Sequence, residues 1–278
     1  AHKPEADVDL LPSTPVRSRL AYDELLADQL ALAMVRASQR TRSGRAIIGD
    51  GKLTERAIGA LPFTLTPSQQ TALAEITEDM AGPFRMLRML QGDVGSGKTV
   101  VAFLAMIRAI EAGAQGAIMA PTEVLARQHF ATIQPLAEAI GLRAALLTGR
   151  DKGKSRATIV DGLKSGEIHI AIGTHALFQD DVGFHDLALA VIDEQHRFGV
   201  HQRLLLTSKG RAADMLVMTA TPIPRTLMLC AYSDLDSSRL TDKPAGRKPI
   251  DTRVLPLSRI EDVVARLGNA MTAGARIL

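Results

Sequence analysis

From Thr66 onward, short apolar runs alternate with stretches of helical periodicity, and this alternation constrains the fold more than any other feature. Runs of strand length occur at 85–90, 117–120, 144–148, 168–172, 188–192 and 214–219. Helical patterns separate several of them, at 68–80, 98–112, 123–139, 155–165 and 223–232. Strands that alternate with helices form βαβ units, whose parallel strands are covered by helices on both faces. The sequence therefore predicts an α/β domain with a parallel sheet flanked by helices.

The chain before this region has a different character. Residues 1–18 are rich in proline and charge and predict a tail, and an apolar stripe predicts a helix over 20–35. Four arginines (36, 40, 42 and 45) follow within ten residues, with Gly and Ser between them. A phosphate-contacting patch and a solvated linker both account for these arginines, and the pattern favours the linker. We therefore expect a tail, a linking helix and a basic linker over 1–60.

The chain after Thr241 also breaks the alternation, because "DKPAGRKPIDTRVLP" contains three prolines. We expect the main domain to span 61–242, and 243–278 to hold a linker, a strand at 252–255 and a helix at 258–273. The chain begins "AHKPEAD" without Met and ends "GARIL" as an apolar run begins, which is typical of a piece excised from a longer protein.

Composition narrows the function classes. Aromatic residues make up only 3% of the chain and Trp is absent, which argues against a platform of rings for stacking bases or sugars. Cys230 is the single cysteine, so an internal disulfide is excluded and a reducing compartment is favoured. The sequence has no apolar run long enough for a membrane span and no signal-like N-terminus. We expect a soluble, cytoplasmic, monomeric protein with no membrane partner.

The stretch "GDVGSGKT" links a predicted strand to a predicted helix and matches G-x-x-x-x-G-K-[ST]. Glycines let consecutive backbone N–H groups turn inward around an anion, and the following helix points its positive end at the same place. A flexible Gly/Ser turn with an incidental lysine is the alternative, and the strand–helix context argues against it. The motif predicts a nucleotide phosphate site made of Gly92, Asp93, Val94, Gly95, Ser96, Gly97, Lys98 and Thr99.

Three further residues follow the apolar strand at 187–192. Asp193 and Glu194 stand at its end, where parallel sheets bind ligands. Asp193, together with the Thr99 hydroxyl, is suited to Mg²⁺, and Glu194 to polarising the water that attacks a γ-phosphate. Exposed acids in a turn are the alternative for both. His196 is either structural or a hydrogen-bonding link between the nucleotide site and a neighbouring strand.

Five stretches in order carry a resemblance to the motifs of superfamily 2 helicases. They are "GDVGSGKT", "APTEVLARQH", "GTHALFQ", "IDEQHRFGVHQR" and "MTATPIPRT". The sequences of these motifs are most similar to those of bacterial DNA helicases that remodel stalled replication forks and Holliday junctions. The transcription-repair coupling factor shares "TATPIPRT", but its acidic box resembles D-E-E-Q and fits less well. The resemblance implies a RecA-like P-loop NTPase domain, ATP and Mg²⁺ as cofactors, and branched DNA as partner.

The same resemblance implies roles for individual residues. The resemblance implies that Phe63 and Gln69 contact adenine. It also implies that Lys98, Asp193 and Glu194 are the catalytic residues. It implies that residues at two motifs track DNA: Pro121, Thr122, Glu123, Arg127, Gly173, Thr174 and His175. A threonine before a helix with acid in its first turn is also an ordinary helix cap. The resemblance finally gives His196, Thr219, Ala220 and Thr221 the coupling of ATP to DNA.

The resemblance also implies partners that this sequence does not contain. A superfamily 2 motor closes two RecA-like lobes on ATP, and the second lobe supplies an arginine finger. The branched-DNA helicases also carry an N-terminal wedge domain. We expect 243–278 to include a truncated start of the second lobe. We expect this piece alone to bind ATP and DNA weakly, to hydrolyse little or no ATP, and not to unwind DNA.

Two other classes of protein use similar parts. A small-molecule kinase or a GTPase shares the phosphate motif, but a GTPase needs an N-K-x-D motif, which is absent from the sequence. A binding module that only retains an ATPase fold predicts a degraded phosphate motif or acidic box. Lys98, Thr99, Asp193 and Glu194 are all intact, which favours an active motor.

Overall fold

The computed structural model describes residues 14–40, 44–193, 213–221, 235–242, 252 and 254–275, in two units, Ala1–Pro244 and Ala245–Leu278. The helices of the first unit are α1 (Pro15–Arg40), α2 (Lys52–Gly59), α3 (Pro67–Met80), α4 (Lys98–Glu111), α5 (Glu123–Ala139) and α6 (Gly153–Ser165). Its strands are β1 (Leu87–Gly92), β2 (Gln115–Met119), β3 (Ala144–Leu147), β4 (Ile170–Gly173), β5 (Leu187–Asp193), β6 (Asp214–Thr219) and β7 (Asp236–Leu240). The second unit contains a 3₁₀ turn, Leu257–Arg259, and helix α7 (Ile260–Thr272).

The seven strands form one sheet in the order β3-β4-β2-β5-β6-β1-β7, and every neighbouring pair is parallel. All strands therefore end at the same edge of the sheet, which we call the C-terminal edge. The predicted α/β class with a parallel sheet is confirmed, and the architecture is RecA-like.

Apolar residues fill both faces of this sheet. One buried cluster joins α2, α3, α4 and α5 to the sheet, and ten residues of α4 belong to it. A second cluster includes Val160 and Leu163 of α6 and covers the opposite face. All seven residues of β5 are buried, as expected for a strand covered on both sides. Burial of both faces fixes the strand ends, and hence the loops that follow them.

Three local predictions need correction. Strand β7 was not expected, because its sequence "DSSRL" is polar. Its Ser238 hydroxyl accepts from Arg88 of β1, which also pairs with Asp79 of α3. Helix α2 was not expected either, within the predicted basic linker. The predicted strand at 252–255 is wrong for its described residues, which are not in a strand, because none of the described residues pairs with them.

The N-terminus of α2 is stabilised by a distant carboxylate rather than by its own cap residue. Glu111 at the end of α4 accepts hydrogen bonds from the Thr54 backbone N–H at 2.9 Å and the Thr54 hydroxyl at 3.0 Å. A carboxylate at a helix N-terminus satisfies free N–H groups and interacts favourably with the helix dipole. This long-range contact adds to a local one from Asp50, whose Oδ1 accepts from Lys52 N–H at 3.2 Å.

None of the helices among the described residues has the length and hydrophobicity needed to cross a membrane. The predicted helix at 223–232 lies outside the described residues. The domain limits given from sequence, 1–60, 61–242 and 243–278, stay predictions.

Candidate nucleotide-binding site

The predicted phosphate loop, residues 92–99, lies at the C-terminal edge between the end of β1 and the start of α4. Gly95 and Gly97 have φ values of 78° and 90°, which L side chains rarely adopt. Ser96 N–H donates to the Asp93 carbonyl at 3.0 Å and closes the turn. Among the described residues no side chain caps the start of α4, which leaves its first N–H groups available to an anion. This arrangement is typical of an anion-binding loop at a helix N-terminus.

Lys98 lies folded over this loop. Its ammonium group donates to the carbonyl of Gly92 at 2.7 Å and to that of Asp93 at 3.1 Å. Ionised phosphate oxygens are stronger acceptors than these carbonyls, because both partners then carry charge. The structure thus brings the predicted phosphate-loop residues together, with the lysine beside the position that a phosphate would take.

Gln69 joins the start of α3 to the phosphate loop. Its Oε1 accepts from Thr66 N–H at 2.9 Å, and its Nε2 donates to the Ser96 carbonyl at 2.8 Å. The Thr66 hydroxyl in return accepts from Gln69 N–H at 3.3 Å, which completes a capping box. Phe63 is half exposed nearby in sequence, at 49%. Gln69 therefore supports the loop through its amide, and its predicted contact with adenine stays a prediction.

Asp193 ends β5, and its carboxylate meets a histidine that sequence reasoning did not select. Its Oδ2 lies 2.7 Å from His129 Nε2 on α5, and both residues are buried. The other ring nitrogen, Nδ1, lies 3.4 Å from the Thr99 hydroxyl at the start of α4. The two predicted Mg²⁺ ligands are thus bridged by one imidazole. Glu194 and His196 lie outside the described residues.

The oxygen atoms at this position suit a magnesium ion. Mg²⁺ prefers hard oxygen ligands and is usually held by one or two protein groups together with waters and substrate phosphates. A hydroxyl from Thr99 and a carboxylate from Asp193, next to a phosphate loop, form such a set. Among the described residues, no group of three or more His, Cys, Asp or Glu side chains gathers into a metal site of its own. The residues therefore fit a metal that arrives with the nucleotide.

The end of β6 is hydrogen-bonded to the strand that carries the phosphate loop. Gln91, directly before the loop, donates from Nε2 to the Thr221 carbonyl at 3.0 Å. Thr221 N–H in turn donates to the Thr219 hydroxyl at 3.2 Å, and Thr219 is fully buried. Ala220 lies between these threonines and is partly exposed. Three of the predicted coupling residues therefore sit against the nucleotide site.

The predicted DNA-contacting residues follow the neighbouring strands β2 and β4. Thr122 caps α5 by accepting from Leu125 N–H at 3.3 Å, so the ordinary capping role is real. Glu123 accepts from Arg127 at 2.8 Å and from Arg150 at 3.1 Å, and its carboxylate is thus neutralised by two arginines. The structure brings Pro121 and these residues to one side of the site.

The second predicted DNA motif starts where β4 ends. Gly173 is packed so closely against the Leu147 carbonyl that a side chain would clash with it. Thr174 N–H donates to the same carbonyl at 3.3 Å, and His175 opens a 3₁₀ turn, His175–Phe178, with an exposed side chain. Both motifs leave the same edge of adjacent strands, which is the geometry that a shared surface requires.

Sequence reasoning missed His129, Gln91 and Arg150 as members of the site. His129 had a readable signal: it belongs to the buried stripe of α5, with Ala126, Ile133 and Ala137. A histidine on the buried face of a helix needs a polar partner, because a lone buried imidazole nitrogen costs free energy. The partners themselves lie 30 and 64 residues away and could not be read from spacing.

Comparisons with known proteins identify relatives of the chain. Residues 66–229 match the family of DEAD/DEAH box helicases. The chain is 46% identical over 277 residues to the ATP-dependent DNA helicase RecG of Pasteurella multocida strain Pm70, covering 97% of this chain and 40% of that protein. It is 44% identical to RecG of Escherichia coli K12 over 266 residues, covering 94% of this chain and 38% of that protein. The chain therefore spans about two fifths of the length of these relatives.

Solved structures agree with these sequence relatives. A structure of RecG bound to a three-way DNA junction is similar with a TM-score of 0.83 at 42% identity, over 93% of this chain and 35% of that one. The helicase MrfA, bound to DNA and AMPPNP, shares the fold alone, with a TM-score of 0.57 at 17% identity over 83% of this chain and 36% of that one. The resemblance to a bacterial DNA helicase predicted from five motifs is confirmed. The chain belongs to the DEAD/DEAH box helicase family.

Proposed function

We propose that this chain is the ATP-binding motor lobe of a DNA helicase or translocase that remodels branched DNA such as stalled forks and Holliday junctions. Relatives named ATP-dependent DNA helicase RecG support the activity, and the RecG structure on a three-way junction supports the branched substrate. The protein acts in the cytoplasm as a monomer, in recombination and repair.

One observation carries the proposal: Gln91, the residue directly before the phosphate loop, is hydrogen-bonded to Thr221, one of the predicted coupling residues. A motor needs such a connection, because a change at the γ-phosphate must reach the surface that holds DNA. A small-molecule kinase has no use for it. The contact runs from the residue before the loop to a strand whose continuation lies at the C-terminal edge.

The chemistry follows from the residues at this edge. Lys98 binds the β- and γ-phosphates by exchanging its loop carbonyls for ionised oxygens. Thr99 and Asp193 hold Mg²⁺, which neutralises charge on the phosphates when bound. Glu194, assigned from sequence, polarises the attacking water. Gln69 and Phe63, assigned by resemblance, select adenine.

DNA is held through its phosphates rather than its bases. The first motif contributes the Thr122 hydroxyl, the N-terminus of α5 and the exposed Arg127 side chain, and the second contributes the exposed side chain of His175. Such contacts carry no sequence information, which suits a motor that moves over any sequence. Glu123 takes part through Arg127 and Arg150, which its carboxylate holds in place.

The lobe on its own is a partial machine. The proposed motor closes a second RecA-like lobe on the nucleotide. That lobe supplies an arginine finger, and such an arginine contributes about 10³- to 10⁵-fold in rate. A wedge domain would supply the preference for forks and junctions. The 278-residue chain alone therefore binds ATP and DNA weakly, hydrolyses little or no ATP, and does not unwind DNA.

ATP turnover tests the proposal, measured with and without branched DNA on this chain and on its full-length protein. We expect turnover by the full-length protein only, stimulated by DNA, and none from its Glu194→Gln variant, which still binds ATP. Turnover that ignores DNA in both proteins would contradict the motor function and favour a small phosphoryl acceptor. Strong DNA-stimulated hydrolysis by the 278-residue chain would contradict its dependence on a second lobe.

A further inference from the structure

His129 is a buried polar residue that closes the stretch "APTEVLARQH", and none of the roles predicted for that stretch includes it. It lies on α5, about two turns from the start of the helix, and is 8% exposed. Its imidazole stands between two different elements: Nε2 lies 2.7 Å from Asp193 Oδ2 at the end of β5, and Nδ1 lies 3.4 Å from Thr99 Oγ1 at the start of α4. Both ring nitrogens are therefore directed at the residues that fit a magnesium ion.

The proton arrangement of this chain of three groups follows from their chemistry. An ionised carboxylate can only accept, so Nε2 of His129 donates to Asp193. The tautomer that completes both hydrogen bonds has its lone pair on Nδ1, which accepts a hydrogen bond from the Thr99 hydroxyl. The lone pairs of Thr99 Oγ1 are thereby left for a cation. Oδ1 of Asp193, the oxygen that does not face His129, is left for the same purpose.

We propose that His129 is the positioning residue for the magnesium site, orienting the Thr99 hydroxyl and anchoring the Asp193 carboxylate. The inference rests on the proposed function, since it gives Thr99 and Asp193 the same ligand. Metal-binding carboxylates are generally oriented by hydrogen bonds from a second layer of residues, and removing such a partner costs roughly 10- to 100-fold in metal affinity. His129 acts through its two neighbours and touches neither nucleotide nor metal.

The position of the three elements explains why one residue has to do this. Thr99 belongs to α4 and Asp193 to β5. The two residues lie 94 positions apart in the sequence, and no direct hydrogen bond joins their side chains among the described residues. Within the described part of the chain, the hydrogen bond from His129 is the one that the Asp193 side chain accepts. A buried carboxylate that loses its donor is free to rotate away or to recruit water.

The test compares the affinity for a fluorescent ADP with Mg²⁺ present and with EDTA. His129→Leu removes both hydrogen bonds and retains an apolar side chain. We expect the tightening of ADP binding by Mg²⁺ to fall roughly tenfold or more, and the affinity in EDTA to stay unchanged, because the phosphate loop is intact. His169→Leu is the matched control: this histidine accepts from Arg143 N–H just before β4, at the opposite edge of the sheet, and its variant keeps the full Mg²⁺ effect.

Thermal unfolding shows whether His129→Leu is folded. If it is not, two conservative variants keep the test decisive. His129→Gln retains a donor near the position of Nε2, and His129→Asn retains an acceptor near Nδ1. We expect each to recover part of the Mg²⁺ effect, and neither to change ADP binding in EDTA. An undiminished Mg²⁺ effect in the folded variants would overturn the role of His129. If the unaltered chain binds no ADP at all, the proposed function fails, and the inference fails with it.

Discussion

Two buried aspartates on neighbouring strands sit at opposite edges of the sheet and have opposite surroundings. Asp193 ends β5 at the C-terminal edge, and its carboxylate accepts a hydrogen bond of 2.7 Å from His129. Asp214 begins β6 at the other edge, where Oδ1 accepts from Met86 N–H at 2.8 Å. Its Oδ2 has no hydrogen-bond partner among the described residues. Each carboxylate thus receives one donor from another element, and the difference lies in the second oxygen: that of Asp214 is buried without a partner among the described residues, which is a cost to the fold.

The acid–base behaviour of Asp214 reflects that cost. Burial raises its pKa from the ordinary 3.8 to about 7, and the nearby Asp79 adds to the rise. The hydrogen bond from Met86 and the charges of Arg85 and Arg45 oppose it. The folded state therefore binds more protons than the unfolded state between about pH 4 and pH 7. Stability falls as the pH rises through this window, and the loss is complete above it.

The largest expected effect in this comparison comes from Asp214→Asn. The amide keeps an acceptor for Met86 N–H and carries no charge, so we expect stabilisation at pH 8 on the order of 3 kcal/mol. The gain should vanish near pH 4, where the aspartate is protonated in the folded protein. Thermal unfolding measured across this pH range checks the prediction. Asp186→Asn, which breaks an exposed pair with Arg45, is the control and should change stability by less than about 1 kcal/mol.

A smaller effect is expected at the C-terminal edge, and on binding rather than stability. Lys98→Ala removes a charge-assisted contact to phosphate, so we expect nucleotide affinity to weaken by about 1.5 to 3 kcal/mol. The unfolding temperature without nucleotide is measured in parallel, so that a loss of affinity is separated from a loss of stability. Calorimetric titration with ATP measures the loss. Equal affinity in Lys98→Ala and in Lys164→Ala, a change on α6, would remove Lys98 from the phosphate site.

The smallest of the three effects concerns the backbone that forms the loop. Gly97 has a φ of 90° and faces the Gln69 amide, so Gly97→Ala forces an L residue into the left-handed region. We expect it to cost about 1 to 2 kcal/mol of stability. Gly59→Ala provides the matched control, since no described atom beyond its own helix backbone lies within 4 Å of the added methyl group and φ is ordinary. Chemical unfolding of both variants should show a loss for the first and none for the second.

Sequence patterns predicted six of the seven strands because those strands are apolar. They failed at β7, whose "DSSRL" fits no apolar pattern. The strand exists because Arg88 meets Ser238 from the neighbouring strand, and Glu75 accepts from the same hydroxyl. These hydrogen bonds join Ser238 to residues 150 and 163 positions away in the sequence, so local strand propensity could not predict them.

The site divides in the same way. The phosphate loop was predictable because glycine positions, a lysine and a strand–helix context are all local. The imidazole between Thr99 and Asp193 was not, since three elements must first be packed before one histidine can meet both oxygens. Gln69 was selected by resemblance as a contact for adenine, and the structure shows its amide bonded to Thr66 and Ser96.

The sheet order has a consequence for how the chain acquires its shape during synthesis. Strand β1, which carries the phosphate loop, is made early, yet both of its neighbours, β6 and β7, are made last. The hydrogen bonds that lock it join residues 128 and 150 positions apart. Pairing across such distances is slow, because the long intervening loop must be closed before any contact repays the cost. The growing chain must therefore keep an apolar strand unpaired until almost the whole unit has left the ribosome, and an unpaired apolar strand is prone to aggregation.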